Sequence, residues 1–187
     1  MFKVLTKGCE PTRGSKYSAC VDLYASEDVV IGAGETNLVG LGVAIDLDHI
    51  KYKNVSLDED GRYTYEETGI SVSEDMLNGW LDRFMRMHYL QLMLRSSLAK
   101  KGLIIANGAG VIDLDFRDEI KIAIHNPLRP YTIKENGANR TYVRGTDKYS
   151  IKRGDRIAQI TLLEHKSHLF GIESDEERKG GFGSTGG

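Results

Sequence analysis

The sequence predicts an all-β protein, built as a sandwich or a barrel. Short apolar runs rich in β-branched residues recur along the chain, and turns that contain glycine separate them. Only one segment, which follows Ser73, has the 3.6-residue periodicity of an amphipathic helix. Many short strands joined by tight turns are typical of sandwiches and barrels, so this is the fold class that we expect.

Length and composition indicate a single domain, residues 1–187, that is soluble and cytoplasmic. With 187 residues and 40% hydrophobic content the chain can bury a sizeable core. The net charge is −2 and the basic residues are scattered, so neither nucleic acid nor a membrane surface is an expected partner. The sequence shows no apolar leader and no run long enough to span a bilayer. Cys9 and Cys20 form no CxxC pair, which argues against a disulfide framework or a zinc site.

The expected strands follow one another along the chain between turn residues. Their alternating or continuous apolar character predicts strands at Phe2 to Leu5, Ala19 to Ala25, Val29 to Ile31, within Asn37 to Ile45, at His88 to Leu94 and Ile120 to Ile124. The stretch from Lys152 to Leu163 predicts a turn that runs into a buried strand. Asn136-Gly137 predicts a hairpin turn in the polar stretch that follows Asn126.

The segment from about Asp46 to Met87 has a different texture, rich in charge and tyrosine. Asp60-Gly61 predicts a hairpin turn, and Ser73 predicts the N-cap of the one clear helix. The apolar residues Met76, Trp80, Phe84 and Met87 recur at helical spacing, with Leu77 and Leu81 alongside. We interpret this stripe as a face that packs on the core, with a docking face for a partner as the alternative.

The stretch from Asn107 to Lys121 is the strongest candidate for a site. Small residues around Gly110 precede a β-branched run and then Asp113 and Asp115, which the alternation of a strand would point to one face. This order predicts a β-hairpin that closes around a flat ligand, with a carboxylate positioned as a general base. The alternative is a surface hairpin with solvated acids.

Two other stretches could hold phosphate oxygens. Arg95-Ser96-Ser97 offers a bidentate donor and two hydroxyls, although paired serines also cap helices. The C-terminal arm, residues 178–187, carries glycines around Ser184 and Thr185 that could wrap backbone N–H groups around phosphates. A glycine-rich arm is equally typical of a disordered tail.

Five stretches in order resemble the trimeric dUTP pyrophosphatases (dUTPases). They contain, in turn, Ala19 to Tyr24, Arg95 to Ala99, Gly110 to Arg117, Arg153 to Gln159 and Gly181 to Gly186. The resemblance implies a distorted jelly-roll β-barrel that assembles as a homotrimer, with each active site shared by three subunits. It also implies Mg²⁺-dependent hydrolysis of dUTP to dUMP and pyrophosphate.

The resemblance assigns roles residue by residue. Asp113 would be the base that activates water, and Asp22 would contact Mg²⁺ through water. The phosphates would lie against Arg95, Ser96, Ser97, Gln159 and Arg178. The uracil edge would pair with the Asn107 side chain and with backbone groups from Gly110, Val111 and Ile112 to Lys121. Phe116 would pack under the deoxyribose, and the arm with Phe182, Gly183, Ser184 and Thr185 would close over the nucleotide.

The chain departs from the family pattern at several places. Cys20 stands where glycine is usual, and Arg178 lies four residues before Phe182 instead of five. Two insertions, about 46–87 and 127–147, favour a bacteriophage origin, which would place the protein in the host cytoplasm. They also raise the alternative of a dUTPase-like regulatory protein that binds a repressor or another partner through them. A dCTP deaminase is disfavoured because Ala123 stands where that enzyme needs glutamate.

Overall fold

The computed structural model describes residues 1–129, 131–142, 147–172 and 174. This part of the chain contains sixteen strands: β1 (Phe2–Val4), β2 (Val21–Tyr24), β3 (Val29–Ile31), β4 (Thr36–Gly40), β5 (Val43–Ile45), β6 (Val55–Leu57), β7 (Tyr63–Tyr65), β8 (Ser71–Val72), β9 (His88–Leu94), β10 (Ile104–Ile105), β11 (Gly110–Asp113), β12 (Lys121–His125), β13 (Tyr131–Glu135), β14 (Ala138–Tyr142), β15 (Tyr149–Ile151) and β16 (Arg156–Glu164). It also contains the helices α1 (Leu47–Lys51), α2 (Glu74–Met87) and α3 (Ser96–Ala99) and a 3₁₀ helix, Ser167–Phe170. The predicted β class with one long inserted helix is confirmed.

Two antiparallel sheets enclose the core. One has the strand order β11-β9-β16-β2 and the other has the order β10-β12-β4, while β1–β5 and β3–β15 form two separate two-stranded sheets. Both sheets contribute to a single cluster of buried side chains, among them Leu23, Leu92, Ile160, Val39, Ile122 and Ile124. Because non-adjacent strands pair throughout, the fold depends on contacts between residues far apart in the sequence.

A β-bulge at the start of β16 shapes the edge that carries the site. The register with β2 shifts between Arg156, which pairs with Tyr24, and Ala158, which pairs with Leu23. Ile157 and Ala158 are consecutive, yet both are buried. A bulge places two residues opposite one on the neighbouring strand, and this local change of direction sets the position of Arg156.

The inserted segment from Asp46 to Met87 folds into α1, a small sheet of β6, β7 and β8, and α2. Gly61 has φ = 77° in the predicted hairpin turn, and Asp58 Oδ1 accepts hydrogen bonds from the backbone N–H groups of Asp60 and Arg62. Ser73 is the N-cap of α2, as predicted, because its hydroxyl accepts a hydrogen bond from Met76 N at 3.2 Å. These local signals are confirmed.

The prediction that the apolar stripe from Met76 to Met87 packs on the core is wrong in part. Leu77 is fully buried, whereas Met76 and Trp80 are 61% and 43% exposed. Leu81, Phe84 and Met85 are the other α2 side chains packed against the core. Residues 77, 81, 84 and 85 also follow helical spacing, so the sequence contains two overlapping stripes. The barrel, and not the periodicity, decides which of them faces inward.

The second inserted segment carries the predicted hairpin. Strands β13 and β14 pair from Tyr131 with Tyr142 to Glu135 with Ala138. Asn136 and Gly137 both have positive φ, 50° and 79°, as a type I′ turn requires. The two cysteines, Cys9 and Cys20, are free. None of the helices in the described ranges has the length and apolar character of a membrane span.

A network of polar side chains ties α1 to α2. Lys51, whose side chain is 9% exposed, donates to Glu74 Oε1, and the same oxygen accepts from Tyr52 Oη at 2.8 Å. The Tyr52 ring stacks on Tyr63 of β7, with centroids 5.4 Å apart. One carboxylate therefore joins three elements of the inserted segment.

We expect Glu74→Gln to remove a stabilising effect that the wild type loses in acid. Hydrogen bonds from Lys51 and Tyr52 hold the pKa of the Glu74 carboxyl below its ordinary value of 4.5. A lowered folded pKa adds stability above the unfolded pKa, and that stability disappears as pH falls through the folded value. In thermal melts, the Tm of the wild type should therefore exceed that of Glu74→Gln at pH 7, and the difference in Tm should become smaller below pH 4.5. A difference in Tm that does not change with pH would contradict this role of the Glu74 carboxylate.

Candidate active site

Asp22 is the centre of a charged cluster on the outer strand β2. The residue is 8% exposed and pairs across the sheet with Gln159 of β16. Its Oδ1 lies 3.3 Å from Arg95 Nε, and its Oδ2 accepts from Arg156 Nη1 at 3.4 Å. The structure thus brings together Asp22, Arg95 and Gln159, which sequence reasoning predicted, with Arg156, to which it gave no role.

The cluster has an excess of positive charge. One carboxylate faces two guanidinium groups, and the side chains of Arg95 and Arg156 are 26% and 53% exposed. Guanidinium groups bind carboxylates and phosphates through a planar set of donors. The arrangement can therefore hold a phosphate while Asp22 fixes the directions of both arginines.

The end of β9 delivers Arg95 to this cluster. Arg95 N donates to Ile157 O at 3.0 Å, next to the bulge, and the chain then enters α3. Ser96 and Ser97 begin α3 and are exposed. The hydroxyls therefore lie beside Arg95 on the outside of the sheet, where a bound anion could reach all three.

The predicted site residues between Asn107 and Lys121 do not form the expected hairpin. β11 pairs with β9, while β12 belongs to the other sheet, where Lys121 pairs with Gly40 of β4. The segment from Asn107 to Lys121 is therefore a crossing between two sheets, and the hairpin prediction is wrong. Local turn signals were present, but pairing with β9 is a long-range contact that they do not encode.

Asp113 is the last residue of β11, and it is exposed. A turn follows at once, closed by Phe116 N donating to Asp113 O at 3.1 Å. Asp115 lies in this turn, so the prediction that strand alternation aligns Asp113 with Asp115 is wrong. Only Asp113 is held on the strand, and Phe116 is buried in the core with 8% of its surface exposed.

β11 is an edge strand of its sheet in the part of the chain that the structure describes. The backbone groups on its outer side make no ladder hydrogen bonds there, and they can pair with a planar polar ligand. Val111 is 60% exposed, Ile112 is half-buried, and Asn107 is exposed in the preceding loop. This edge has the chemistry that recognition of a nucleobase requires.

Gly110 has a structural reason to lack a side chain. A Cβ there would lie 2.9 Å from Leu92 Cβ and 3.3 Å from Leu92 O. The close approach expected at this glycine is therefore an approach to β9 within the protein. Its backbone remains part of the β11 edge.

We expect Gly110→Ala to destabilise the fold by about 1–3 kcal/mol, because neither the backbone nor the Cβ of Leu92 can move aside easily. Gly79→Ala is a matched control, because Gly79 is exposed in α2 and a Cβ there meets nothing within 4 Å. Removing a helical glycine should stabilise by up to about 1 kcal/mol. Urea unfolding measures the stability of both variants. Equal unfolding midpoints for Gly110→Ala and Gly79→Ala would contradict a close contact between Gly110 and Leu92.

The two groups are far apart within one chain. Asp113 pairs with Tyr89, which faces Leu163 of β16, whereas Asp22 faces Gln159 on the same strand. From strand geometry, four residues along β16 and three strand spacings separate Asp113 from Asp22 by about 20 Å. Groups that act on one phosphate must lie within a few ångströms of it, so one subunit does not bring them together.

Part of the predicted site lies outside the described residues. This applies to the whole C-terminal arm, with Arg178, Phe182, Gly183, Ser184 and Thr185.

The described residues contain no group of three or more His, Cys, Asp or Glu side chains that could hold a metal ion. Asp22 offers a single carboxylate, which Arg95 and Arg156 already contact. Such a donor set fits a Mg²⁺ ion held mainly by the oxygens of a bound triphosphate and its own waters.

Comparison with known proteins identifies the family. The deoxyuridine 5′-triphosphate nucleotidohydrolase of Rickettsia akari is 30% identical over 186 residues, which cover 96% of this chain and 89% of the relative. The chain belongs to the dUTPase family. The dUTPase of Escherichia phage T5 is 29% identical over 190 residues, covering 99% and 97% of the two chains. No family model matches the sequence.

The fold is also that of dUTPases, the predicted jelly-roll β-barrel. The dUTPase from phage phi11 of S. aureus, whose solved structure shows a species-specific insert, superposes with a TM-score of 0.55 at 18% identity. The match covers 98% of this chain and 97% of the phage enzyme. A variant of that phage enzyme coordinates a structural Mg(II) ion.

Proposed function

We propose that this dUTPase-family protein hydrolyses dUTP to dUMP and pyrophosphate. The observation that carries the proposal is the pair of sites on the sheet β11-β9-β16-β2, a carboxylate at one end and an arginine-rich anion site at the other. In the cell this reaction would keep uracil out of DNA and supply dUMP for the synthesis of dTMP.

The chemistry that we infer is attack of water on the α-phosphorus. Asp113 would orient the water and take its proton as the new P–O bond forms. The bond from the α-phosphorus to the bridging oxygen breaks, and pyrophosphate leaves with that oxygen. This reaction requires alignment and charge neutralisation more than a covalent nucleophile.

The charge of the triphosphate would be met by Arg95, which lies beside Asp22, and by neutral donors near it. Arg95, Ser96, Ser97 and Gln159 would donate to phosphate oxygens, and Arg178 would add a cation from the arm. Bound Mg²⁺ would supply further neutralisation of the triphosphate charge. Asp22 would accept a hydrogen bond from one of the waters of the ion, in keeping with its single carboxylate.

Specificity for uracil would come from the edge of β11. Backbone groups of Gly110, Val111 and Ile112, with the Asn107 side chain and the stretch to Lys121, would pair with the base. Cytosine would mismatch buried donors and acceptors at a cost of about 1–3 kcal/mol each. Thymine would lack room for its methyl group, Phe116 would exclude a 2′-hydroxyl, and Phe182 would cover the base.

We infer a homotrimer in which one subunit supplies Asp113, a second the Asp22 cluster and a third the arm. The separation of about 20 Å between Asp113 and Asp22 along and across the sheet supports a shared site. The predicted binding of a protein partner through the insertions, the phage origin and the cytoplasmic location all stay predictions.

The test is release of pyrophosphate from dUTP, dCTP, dTTP and UTP with Mg²⁺. We expect turnover of dUTP and discrimination against the others by about 10² or more, because several polar mismatches add. A folded oligomer that leaves dUTP intact would contradict the enzymatic proposal. It would then favour the regulatory alternative, which is tested by mixing with candidate repressors and measuring the heat of binding.

A further inference from the structure

A cavity of about 640 Å³ opens where the inserted segment meets the barrel. Met1 and Leu162 line it from the barrel, and residues of α1, the β6–β8 sheet and α2 form the other walls. We call it the aromatic cleft and define it by Tyr65, Ile70, Trp80, Phe84, His49 and Lys53. Its volume lies in the range of about 300–1,000 Å³ that is typical of small-molecule sites.

One wall of the aromatic cleft is a stack of flat rings. Trp80 stacks on Phe84 with centroids 5.3 Å apart, and Phe84 stacks on His88 at 4.3 Å. Tyr65 is the last residue of β7, and Ile70, which directly precedes β8, is 59% exposed. Trp80 also remains 43% exposed, although it belongs to an amphipathic helix. The wall is therefore an aromatic surface that the described part of this chain leaves open to a planar ligand.

The lining of the cleft contains one lysine, Lys53, that forms no ion pair in the described ranges. Lys51, Lys53 and His49 line the cleft, against a single acid, Glu67. Lys51 is neutralised by Glu74. Neither Lys53 nor His49 forms an ion pair with another residue in the described ranges. A ligand with a negative group could therefore pair with Lys53 beside the rings without displacing an existing ion pair.

The walls are held in place before any ligand binds. Glu74 of α2 bonds to Lys51 of α1 and to Tyr52, and Tyr52 stacks on Tyr63 of β7. Hydrogen bonds and a ring stack thus connect α1, α2 and β7, which carry the cleft. Preformed walls lower the entropic cost of binding.

The aromatic cleft is separate from the candidate active site. Leu162 and Gln159 both lie on β16, three residues apart and beyond the bulge. Successive side chains of a strand alternate between faces, so these two point to opposite faces of the sheet. A ligand in the cleft would not occupy the place proposed for dUTP.

We propose that the aromatic cleft binds a small organic anion, a flat aromatic ring system that bears one negative group. The ligand ring stacks on the face of Trp80 that Phe84 does not cover, and the negative group lies beside Lys53. Pairing with Lys53 favours this class over a neutral aromatic compound, and a cavity of about 640 Å³ has room for one such molecule.

Trp80 is the only tryptophan in the chain, so its fluorescence reports on this cleft alone. The probe is 8-anilinonaphthalene-1-sulfonate, a flat aromatic sulfonate, titrated into the full-length protein. We expect saturable quenching of Trp80 with one probe bound per chain. Lys53→Gln should weaken binding about fivefold, the effect of one exposed charge pair. Lys134→Gln, on the exposed strand β13, is the matched control and should change nothing.

The uncharged analogue N-phenyl-1-naphthylamine separates charge from stacking. We expect Lys53→Gln to leave its affinity unchanged, and we expect Trp80→Ala to weaken both probes, followed by probe fluorescence. Absence of saturable quenching, equal effects of Lys53→Gln and Lys134→Gln, or equal loss for both probes on Lys53→Gln would overturn the proposal. Trp80 emission that shifts with protein concentration alone would also overturn it, because a second copy would then cover the cleft. Hydrolysis of dUTP is a separate readout that none of these outcomes requires.

Discussion

Asp113→Asn is expected to reduce kcat for dUTP by about 10²–10⁴-fold, the usual contribution of a general base. The change keeps the size of the side chain but removes its ability to accept a proton from water. Binding of the nucleotide relies on other groups, so KM should change little. Steady-state pyrophosphate release at saturating Mg²⁺ measures both constants.

Asp115→Asn is the matched control for this experiment. Asp115 is also exposed and lies two residues further on, but it belongs to the turn after β11 and is not held on the strand. We expect its activity to stay within about twofold of the wild type, as for a surface substitution outside the site. Equal losses at both positions would mean that the turn, and not the Asp113 carboxylate, matters for activity.

Local features of this fold could be predicted from short stretches of sequence. Ser73 caps α2 because a hydroxyl next to the first turn satisfies a free N–H, and Asn136-Gly137 forms a hairpin turn because both residues tolerate positive φ. Each depends on two to four neighbouring residues. The strand partners of β11 and the inner face of α2 depend on distant residues, and for that reason the first prediction was wrong and the second was wrong in part.

In the candidate site, too, local motifs could be predicted from the sequence, and positions that depend on long-range pairing could not. Asp22, Arg95 and Gln159 could be proposed from the family motifs, and the structure brings Asp22 opposite Gln159 and within 3.3 Å of Arg95. Arg156 was missed because its position depends on the bulge, where the register shifts before Ala158. A consecutive buried pair, Ile157-Ala158, within an otherwise alternating strand is the signal that could have indicated a bulge.

Mixing two inactive variants is expected to restore activity if the site is shared. Asp113→Asn and Asp22→Asn chains, each nearly inactive alone, would be co-expressed in equal amounts and purified as one pool, without separating mixed from uniform oligomers. When a site takes Asp113 from one subunit and Asp22 from another, random assembly leaves about a quarter of the sites with both wild-type residues. Activity should therefore rise from near zero to roughly a quarter of the wild-type value in the same assay.

The control for this experiment is the double variant, Asp22→Asn with Asp113→Asn in one chain, mixed with wild-type chains. Here too a site is intact when both of its contributing subunits are wild type, so about a quarter of the sites should work. If each chain carried a complete site, this mixture would instead retain half of the activity and the mixture of single variants would recover none. Because Asp113 and Asp22 lie about 20 Å apart across one sheet, we expect the shared-site pattern.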